Sequence, residues 1–540
     1  MGVFLNSKIP YESYRLARRA PYYVDKTELL EELIPALGVE NRFFCITRPR
    51  RFGKTVMANM IAAFFGRAVD ARSLFDGLKI SLRPECEKHR NQYHVIFVDF
   101  SEVPRDCTSY QQYISRIQDG INADLAEAYP GVSIGRDGAV WDALNAVFQE
   151  SGDDFIFVMD EWDAVFHMPF VSKSEQESFL LFLKSLLKGQ AYVKLAYMTG
   201  ILPIAKYSGG SELNMFVEYD MATRVRFGEY FGFLDEEVDM LYGVYEKRTG
   251  NPVISRKEIS EWYDGYYTAS GCRIYNPRSV VCALNDNQIS NYWTSSGPYD
   301  EIFYYIKNDI DNIRDDLALM ISGESIHIKL QGYAAVQSEL LTKNQIYSAM
   351  VVYGLLTYRD GEVMIPNREL MTQYDEMLLT NDSLGYVYSL AKESDRMLRA
   401  TLEGDTGSME CILEYAHNTE SPIFSYNSEI ELSAVVNLVY LSARDRYRVE
   451  REDKAGKGYV DFIFYPVRNT DPALILELKV DSTPETAILQ IREKEYVLRL
   501  KGRLGEQKKF SGKILLVGIS YDSKTKKHAC RVEEFDAVLP

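Results

Sequence analysis

Two stretches of this chain combine residue types whose spacing suits chemistry on phosphates. The first is Thr47-Arg48-Pro49-Arg50-Arg51-Phe52-Gly53-Lys54-Thr55. It follows Phe43-Phe44-Cys45-Ile46, an apolar run that reads as a strand. It precedes Val56 to Phe65, which reads as a helix. Strand, loop ending in Gly-Lys-Thr, helix is the context in which a loop cradles a nucleotide phosphate. The helix N-terminus offers unpaired N–H groups and a positive dipole end. Gly53 lets the backbone turn, Lys54 reaches the β- and γ-phosphates, and the Thr55 hydroxyl can ligate Mg²⁺. Arg50, Arg51 and Phe52 complete the loop as candidate nucleotide contacts. The pattern departs from GxxxxGK[ST] at Arg48, where a glycine is expected, and Pro49 removes one N–H. Arg48, Arg50 and Arg51 add positive charge that could partly compensate. The competing reading is a basic turn before a core helix.

A partner for that loop lies further along. Phe155-Ile156-Phe157-Val158-Met159 is continuously apolar, as a strand buried on both faces must be. It ends in Asp160-Glu161, with Asp163 beyond. Asp160 at a strand end beside the loop can hold the Mg²⁺ shell, and Glu161 can orient and activate the attacking water. Thr199, after the run Val193 to Met198, could sense the γ-phosphate from that strand end.

The second stretch is C-terminal. Tyr459 to Tyr465 reads as a strand holding Asp461, and Ala473 to Val480 as a strand holding Glu477 and Lys479. The intervening Arg468-Asn469-Thr470-Asp471-Pro472 is turn chemistry. A hairpin symmetric about residue 469 sets Asp461 opposite Glu477. Strand alternation puts Glu477 and Lys479 on one face. Two carboxylates facing each other destabilise a sheet, unless a hard cation such as Mg²⁺ sits between them. Metal would then activate water against a phosphodiester, with Lys479 orienting it or stabilising charge. A salt-bridged hairpin face is the alternative. Glu431, on a helix face with Val435 and Leu438, could point to the metal. It also completes Ser428-x-x-Glu431, a capping box. Gln490 is spaced to reach back toward Lys479 from the following helix.

The elements that must position these residues follow from the pattern. Strands alternate with helices expected at 109–128, 139–150 and about 174–188, which calls for a parallel sheet covered on both faces. Ligands bind at the carboxyl ends of such strands, where Lys54, Thr55, Asp160, Glu161 and Thr199 all fall. A mainly helical lid is expected over 236–300. Helices at 301–322 and 338–356 and a small hairpin over 355–367 suggest a winged-helix-like unit. Tyr22 to Thr27, before the first strand, could cover a nucleotide base or simply cap a surface helix. Arg278 could reach the γ-phosphate or lie on the surface.

Composition excludes several classes. Hydrophobic content of 46%, charged content of 26% and 38 tyrosines argue for globular domains rather than disorder. No apolar run is long enough to span a membrane, and Met1 to Pro10 lacks a signal-peptide core, so a cytoplasmic location is expected. Seven scattered cysteines and six histidines show no zinc spacing. The net charge of −17 disfavours binding nucleic acid over the whole surface. Residues 491–531, however, hold twelve Lys/Arg against four Asp/Glu. That basic patch could contact DNA or be a solvated face.

Taken together, these motifs resemble a bacterial family that joins an AAA-ATPase-like region to a nuclease-like domain of the PD-(D/E)XK superfamily. The resemblance rests on Tyr23-Val24-Asp25-Lys26-Thr27, the Arg48 to Thr55 loop, Asp160-Glu161-x-Asp163 and Trp262-Tyr263-Asp264-Gly265-Tyr266. Tyr275-Asn276-Pro277, Gly458-Tyr459-Val460-Asp461 and Glu477-Leu478-Lys479 extend it across nearly the whole chain. It implies an α/β fold: a P-loop NTPase core over 1–235, a helical lid over 236–300, a winged-helix-like linker over 301–400 and a restriction-endonuclease-like domain over 401–540. It implies ATP and Mg²⁺ at Lys54, Thr55, Asp160 and Glu161. It also implies a Mg²⁺- or Mn²⁺-dependent centre at Asp461, Glu477 and Lys479, supported by Glu431 and Gln490. Tyr459 departs from the small or basic residue often found there. The expected function is ATP-gated DNA cleavage, and a homo-oligomer is among the assemblies that could carry it out. The alternative is a nucleotide-dependent switch whose nuclease-like domain binds without cutting.

Overall fold

Alternation of side chains along a strand separates this protein's first core into two layers. In β1 (Phe43–Thr47), Phe43 and Cys45 face one layer while Phe44 and Ile46 face the other. The computed structural model describes residues 2–134, 138–204, 212–293, 310–330, 342–380, 382–418, 428–455, 458–468, 470–498, 500, 510 and 512–535. The chain forms two units: Met1–Tyr305 with His327–Leu370, and Ile306–Ile326 with Met371–Pro540.

In the first unit, β1 joins β2 (His94–Asp99), β3 (Phe155–Asp160), β4 (Val193–Gly200) and β5 (Val217–Tyr219) in one sheet. All pairs are parallel, in the order β2-β3-β4-β1-β5. Helices Tyr110–Ala128, Val140–Ser151 and Lys173–Leu187 cover one face, contributing Tyr113, Ile117, Leu144, Val147, Leu183 and Leu187. The helix Lys54–Phe65 covers the other with Met57, Ile61, Phe64 and Phe65. Register aligns the strand ends: Thr47 pairs with Gly200, and Asp99 with Asp160.

Three further helices, Asp235–Arg248, Arg256–Tyr263 and Pro277–Asp286, pack through Val238, Leu241, Tyr245, Ile259 and Val280. Tyr22 and Val24 are buried in that cluster, and Lys26 pairs with Glu237 at 2.6 Å. Tyr22 and Val24 therefore bind the N-terminal segment to the helical layer, and Lys26 ties it there electrostatically. A short helix–hairpin arrangement, Lys343–Tyr353 followed by Thr357–Arg359 and Glu362–Met364, matches the hairpin read from sequence. The expected helical segments at 301–309 and 338–341 lie outside the described residues. Among the described residues no helix is long and apolar enough to cross a membrane.

The second unit contains a mixed sheet of β6 (Tyr447–Ala455), β7 (Gly458–Pro466), β8 (Ala473–Val480), β9 (Ile514–Asp522) and β10 (Lys527–Phe535), in that order. Only β8 and β9 are parallel. That parallel step needs a crossover, and the helix Pro484–Glu493 lies in the connection, burying Ala487, Ile488 and Ile491. The helix Glu429–Val439 buries Leu432, Val435, Val436 and Leu438. β6, β9 and β10 extend the hairpin inferred from the Asp461 and Glu477 segments into a five-stranded sheet.

Candidate functional sites

The phosphate-type loop runs from β1 into the helix Lys54–Phe65. Gly53 caps that helix at φ 87°, a left-handed conformation that favours glycine. No side chain caps the first turn, so its N–H groups remain available to an anion. Lys54 is buried, and its Nζ donates to the carbonyls of Arg48 at 3.2 Å and Pro49 at 3.1 Å. It also lies 3.8 Å from Glu161 Oε1.

Two loop residues do other work than expected. Arg48 is 1% exposed and donates to the carbonyls of Thr47, Tyr219 and Phe227, with Phe231 beneath its guanidinium. It ties the loop to β5 and the segment beyond. Its two terminal nitrogens are turned to backbone carbonyls, so its charge can act on a phosphate only at a distance and not through those hydrogen bonds. The Phe52 ring is buried edge-on against Tyr266, with centroids 5.0 Å apart, beside Met221 and Ile274. Such burial stabilises by about 1.5–3 kcal/mol, so the ring anchors the loop and only its backbone can face a ligand. Arg51 donates to the Tyr292 carbonyl. Burial and the neighbouring Arg278 hold its guanidinium below the usual arginine range.

β3 delivers Asp160 to the same end of the sheet. It is fully buried, which pushes its carboxyl up to about 6 against the restraint of the Thr199 and Thr55 hydroxyls. Thr199 donates to Oδ1, while Oδ2 is buried without a hydrogen-bond partner. A buried carboxylate oxygen left bare is costly and fits a hard cation. Glu161 follows in a left-handed conformation at φ 50°. Burial raises its carboxyl and Lys54 opposes that rise. Asp163 points elsewhere: its Oδ2 accepts from the N–H groups of Ile201 at 3.1 Å and Leu202 at 2.8 Å. It fixes the exit of β4, where Gly200 is required. A Cβ there would lie 2.5 Å from Asp163 Oδ1 and from Trp162 Cδ1. Asp99, at the end of β2 opposite Asp160, was not singled out from sequence. Its signal was the same: an acid terminating the apolar run Val95–Val98.

The C-terminal centre is built on β7 and β8. Phe462 pairs with Leu476, so Asp461 and Glu477 stand opposite one another, as the hairpin symmetry requires. Asp461 Oδ2 accepts from the Leu478 N–H at 2.7 Å. Glu477 is 2% exposed; burial first, then the like charge of Asp461, pushes its carboxyl up to about 7 against the pull of Lys479. Its Oε1 accepts from Lys479 at 3.1 Å and from Gln490, whereas Oε2 is buried with no partner. Gln490 thus reaches Glu477 rather than Lys479. Burial disfavours the Lys479 ammonium, but Glu477, Glu429 and Asp461 outweigh it and hold that group above the usual lysine range. Glu429, not selected from sequence, comes within 3.7 Å of Lys479 Nζ. The Glu431 backbone N–H donates to the Ser428 hydroxyl at 3.3 Å, which is the serine's half of the expected capping box.

Among the described residues no group of three or more His, Cys, Asp or Glu converges as a metal site. The carboxylates come in pairs, and Mg²⁺ is commonly held by one or two carboxylates together with water and substrate phosphate. Within the basic C-terminal stretch, Arg492 pairs with Glu533, Lys513 with Glu534, and Arg531 with Glu485 and Glu533. Those three charges are locally balanced. Residues 501–509 lie outside the described residues.

Comparison with known proteins matches the two centres to separate families. Residues 11–208 match the model of a predicted AAA-ATPase, and residues 433–530 that of the PD-(D/E)XK nuclease superfamily. A protein of Azotobacter chroococcum mcd 1, described as an uncharacterized protein in the vnfD 5′ region, is 22% identical over 285 residues. The match covers 51% of this chain and 51% of that protein, about half the length of each. Similar solved structures include the Walker-type ATPase paby2304 of Pyrococcus abyssi, at 14% identity and a TM-score of 0.35, covering 65% of this chain and 94% of that one. The Aeropyrum pernix ORC2 protein follows at 10% identity and 0.31, covering 70% and 95%. Both scores are too low to bear on ligands or partners.

Proposed function

Since the chain joins an AAA-ATPase-like domain to a PD-(D/E)XK nuclease-superfamily domain, we propose that it binds and hydrolyses ATP and that nucleotide state controls metal-dependent cleavage of DNA. One observation carries this reading: each centre combines a lysine with a buried carboxylate, Asp160 or Glu477, whose pKa burial raises and one of whose oxygens makes no hydrogen bond.

In the first centre, the backbone of Arg50 to Gly53 with Lys54 binds the phosphates. Thr55 and Asp160 hold Mg²⁺, Glu161 orients water and Thr199 senses the γ-phosphate. In the second, Asp461 and Glu477 hold Mg²⁺ or Mn²⁺. Lys479 is the charged group facing the phosphodiester, with Glu431 and Gln490 in support. Bound metal supplies an activated water and neutralises charge on the phosphate. The protein's own part is to oppose the protonation that burial favours at Glu477, which Lys479 does, and to aim the carboxylate, which Lys479 and Gln490 do from one side.

A switch without cleavage draws on a different observation. The Lys479 ammonium is engaged by Glu477, by the Leu478 carbonyl at 2.8 Å and by Glu429. Incubation of linear and circular DNA with the purified chain and Mg²⁺ or Mn²⁺, beside Glu477→Ala, separates the two. Metal-dependent cutting that disappears in the variant supports the nuclease. Tight ATP binding with no cutting on any substrate supports the switch.

A further inference from the structure

Glu477 uses its two oxygens unequally. Oε1 receives both Lys479 and Gln490, Oε2 makes no hydrogen bond, and the Asp461 backbone N–H lies near enough to the carboxyl to favour its ionised form. This division depends on which way the Gln490 amide is turned, since its oxygen and nitrogen ends have nearly the same shape. The next group along decides the matter. Gln490 Nε2 lies 3.3 Å from the Tyr496 hydroxyl, and that hydroxyl lies 2.5 Å from the backbone carbonyl of Tyr459. Tyr496 is 1% exposed. A carbonyl can only accept, so the one phenolic proton points at Tyr459. The hydroxyl then has only lone pairs to offer Gln490. The amide must present one N–H to Tyr496, and its second N–H falls to Glu477. A flipped amide would set its oxygen against a carboxylate and against the hydroxyl lone pairs, two repulsive contacts in a buried place.

We propose that Tyr496 is a positioning residue of the C-terminal centre: anchored on the Tyr459 carbonyl, it orients Gln490, and Gln490 occupies Glu477 Oε1 so that Oε2 is presented to a divalent cation. The proposal rests on the reading of Asp461 and Glu477 as the metal pair. Tyr496 itself touches no reacting atom. Its hydroxyl acts through one amide, and its ring packs in the core with Ile488, Ile491 and Val497.

The test is calorimetric titration of Mn²⁺ into the full chain, in which the binding component removed by Glu477→Ala reports this site. Tyr496→Phe keeps the ring and deletes only the hydroxyl. The expected loss of Mn²⁺ affinity is about tenfold, the lower end for partners that orient a metal ligand. The Mn²⁺ concentration for half-maximal DNA cleavage rises by the same factor, while KM for DNA stays unchanged. Gln490→Ala gives a comparable loss, and Tyr496→Phe combined with Gln490→Ala is no worse than Gln490→Ala alone, because both remove one relay. A purely packing role would be preserved by Phe. Wild-type affinity in Tyr496→Phe, or losses that multiply in the double variant, overturn the proposal and leave the metal centre standing. If wild type shows no component that Glu477→Ala removes, the metal pair falls and this inference falls with it.

Discussion

Both centres set a lysine near a buried acid, yet they are assembled in opposite ways. Asp461, Glu477 and Lys479 come from one antiparallel strand pair, and register alone makes them neighbours. Lys54, Asp160 and Thr199 come from the ends of different elements, and the strand order brings them together, with β4 inserted between β1 and β3. The local centre depends on few distant residues, chiefly the helix carrying Gln490. The dispersed centre needs a frame: Arg48 stitching the loop to Tyr219 and Phe227, Phe52 packed on Tyr266, Asp163 pinning the exit of β4. Chemistry built on a hairpin tolerates change elsewhere; chemistry built across parallel strands is exposed to every element that sets their spacing.

The largest effect that would break this comparison is a substitution in one centre that disables both. Asp461→Asn or Glu477→Ala is expected to lower metal-dependent cleavage on the order of a thousandfold, as removal of one electrostatic element of an active site does. ATP affinity, measured by fluorescent-nucleotide titration, should stay at the wild-type value. Lys54→Ala is expected to weaken ATP binding by about 2–3 kcal/mol, the worth of a charged hydrogen bond, or roughly a hundredfold. The Mn²⁺ component at Glu477 should persist, as calorimetry can check.

A smaller effect sharpens the contrast through pH. The folded protein holds the Glu477 carboxyl at about 7, above its ordinary value. Burial therefore favours the protonated form; this contribution to stability is present below about pH 4.5 and is lost as pH rises through about 7. In chelator at pH 8, Glu477→Gln is expected to stabilise the second unit by about 1–2 kcal/mol, roughly half of what ionising the buried carboxyl costs, the remainder being offset by the lost pairing with Lys479. For Asp160 the corresponding window closes near pH 6, so Asp160→Asn should act at lower pH. Thermal unfolding across pH 4–8 reads both, and added Mg²⁺ should reverse the gain. The smallest expected effect is Thr199→Val. Loss of one hydroxyl donor to Asp160 is worth about 1 kcal/mol, or roughly a fivefold fall in ATP turnover by steady-state phosphate release.

What could be read from sequence follows the same division. Hairpin symmetry about residue 469 placed Asp461 opposite Glu477 because antiparallel register is simple counting between two strands. The Gly-Lys-Thr loop and the acid at the end of Phe155–Met159 were legible because strand, loop and helix alternate in one short grammar. The engagements of Arg48 were not. Its acceptors Tyr219 and Phe227 are 171 and 179 residues away, and nothing near Arg48 marks them. Phe52 looked like a loop residue because its partner Tyr266 lies far along the chain. Helical periodicity favoured Glu431, while the chain brings Glu429, exposed at the first turn, beside Lys479. Tyr496 carried no signal, since its role depends on a backbone carbonyl of β7.

The central claim is that two separately built centres work as one device. Its most direct test is the rate of Mn²⁺-dependent DNA cleavage measured across ATP concentrations, in wild type and in Lys54→Ala. The account predicts a rate that rises with ATP and saturates at the measured ATP affinity in wild type, and a rate insensitive to ATP over the same range in Lys54→Ala. Equal cleavage at every ATP concentration in both proteins would contradict the coupling, and absence of metal-dependent cleavage in wild type would contradict the nuclease itself.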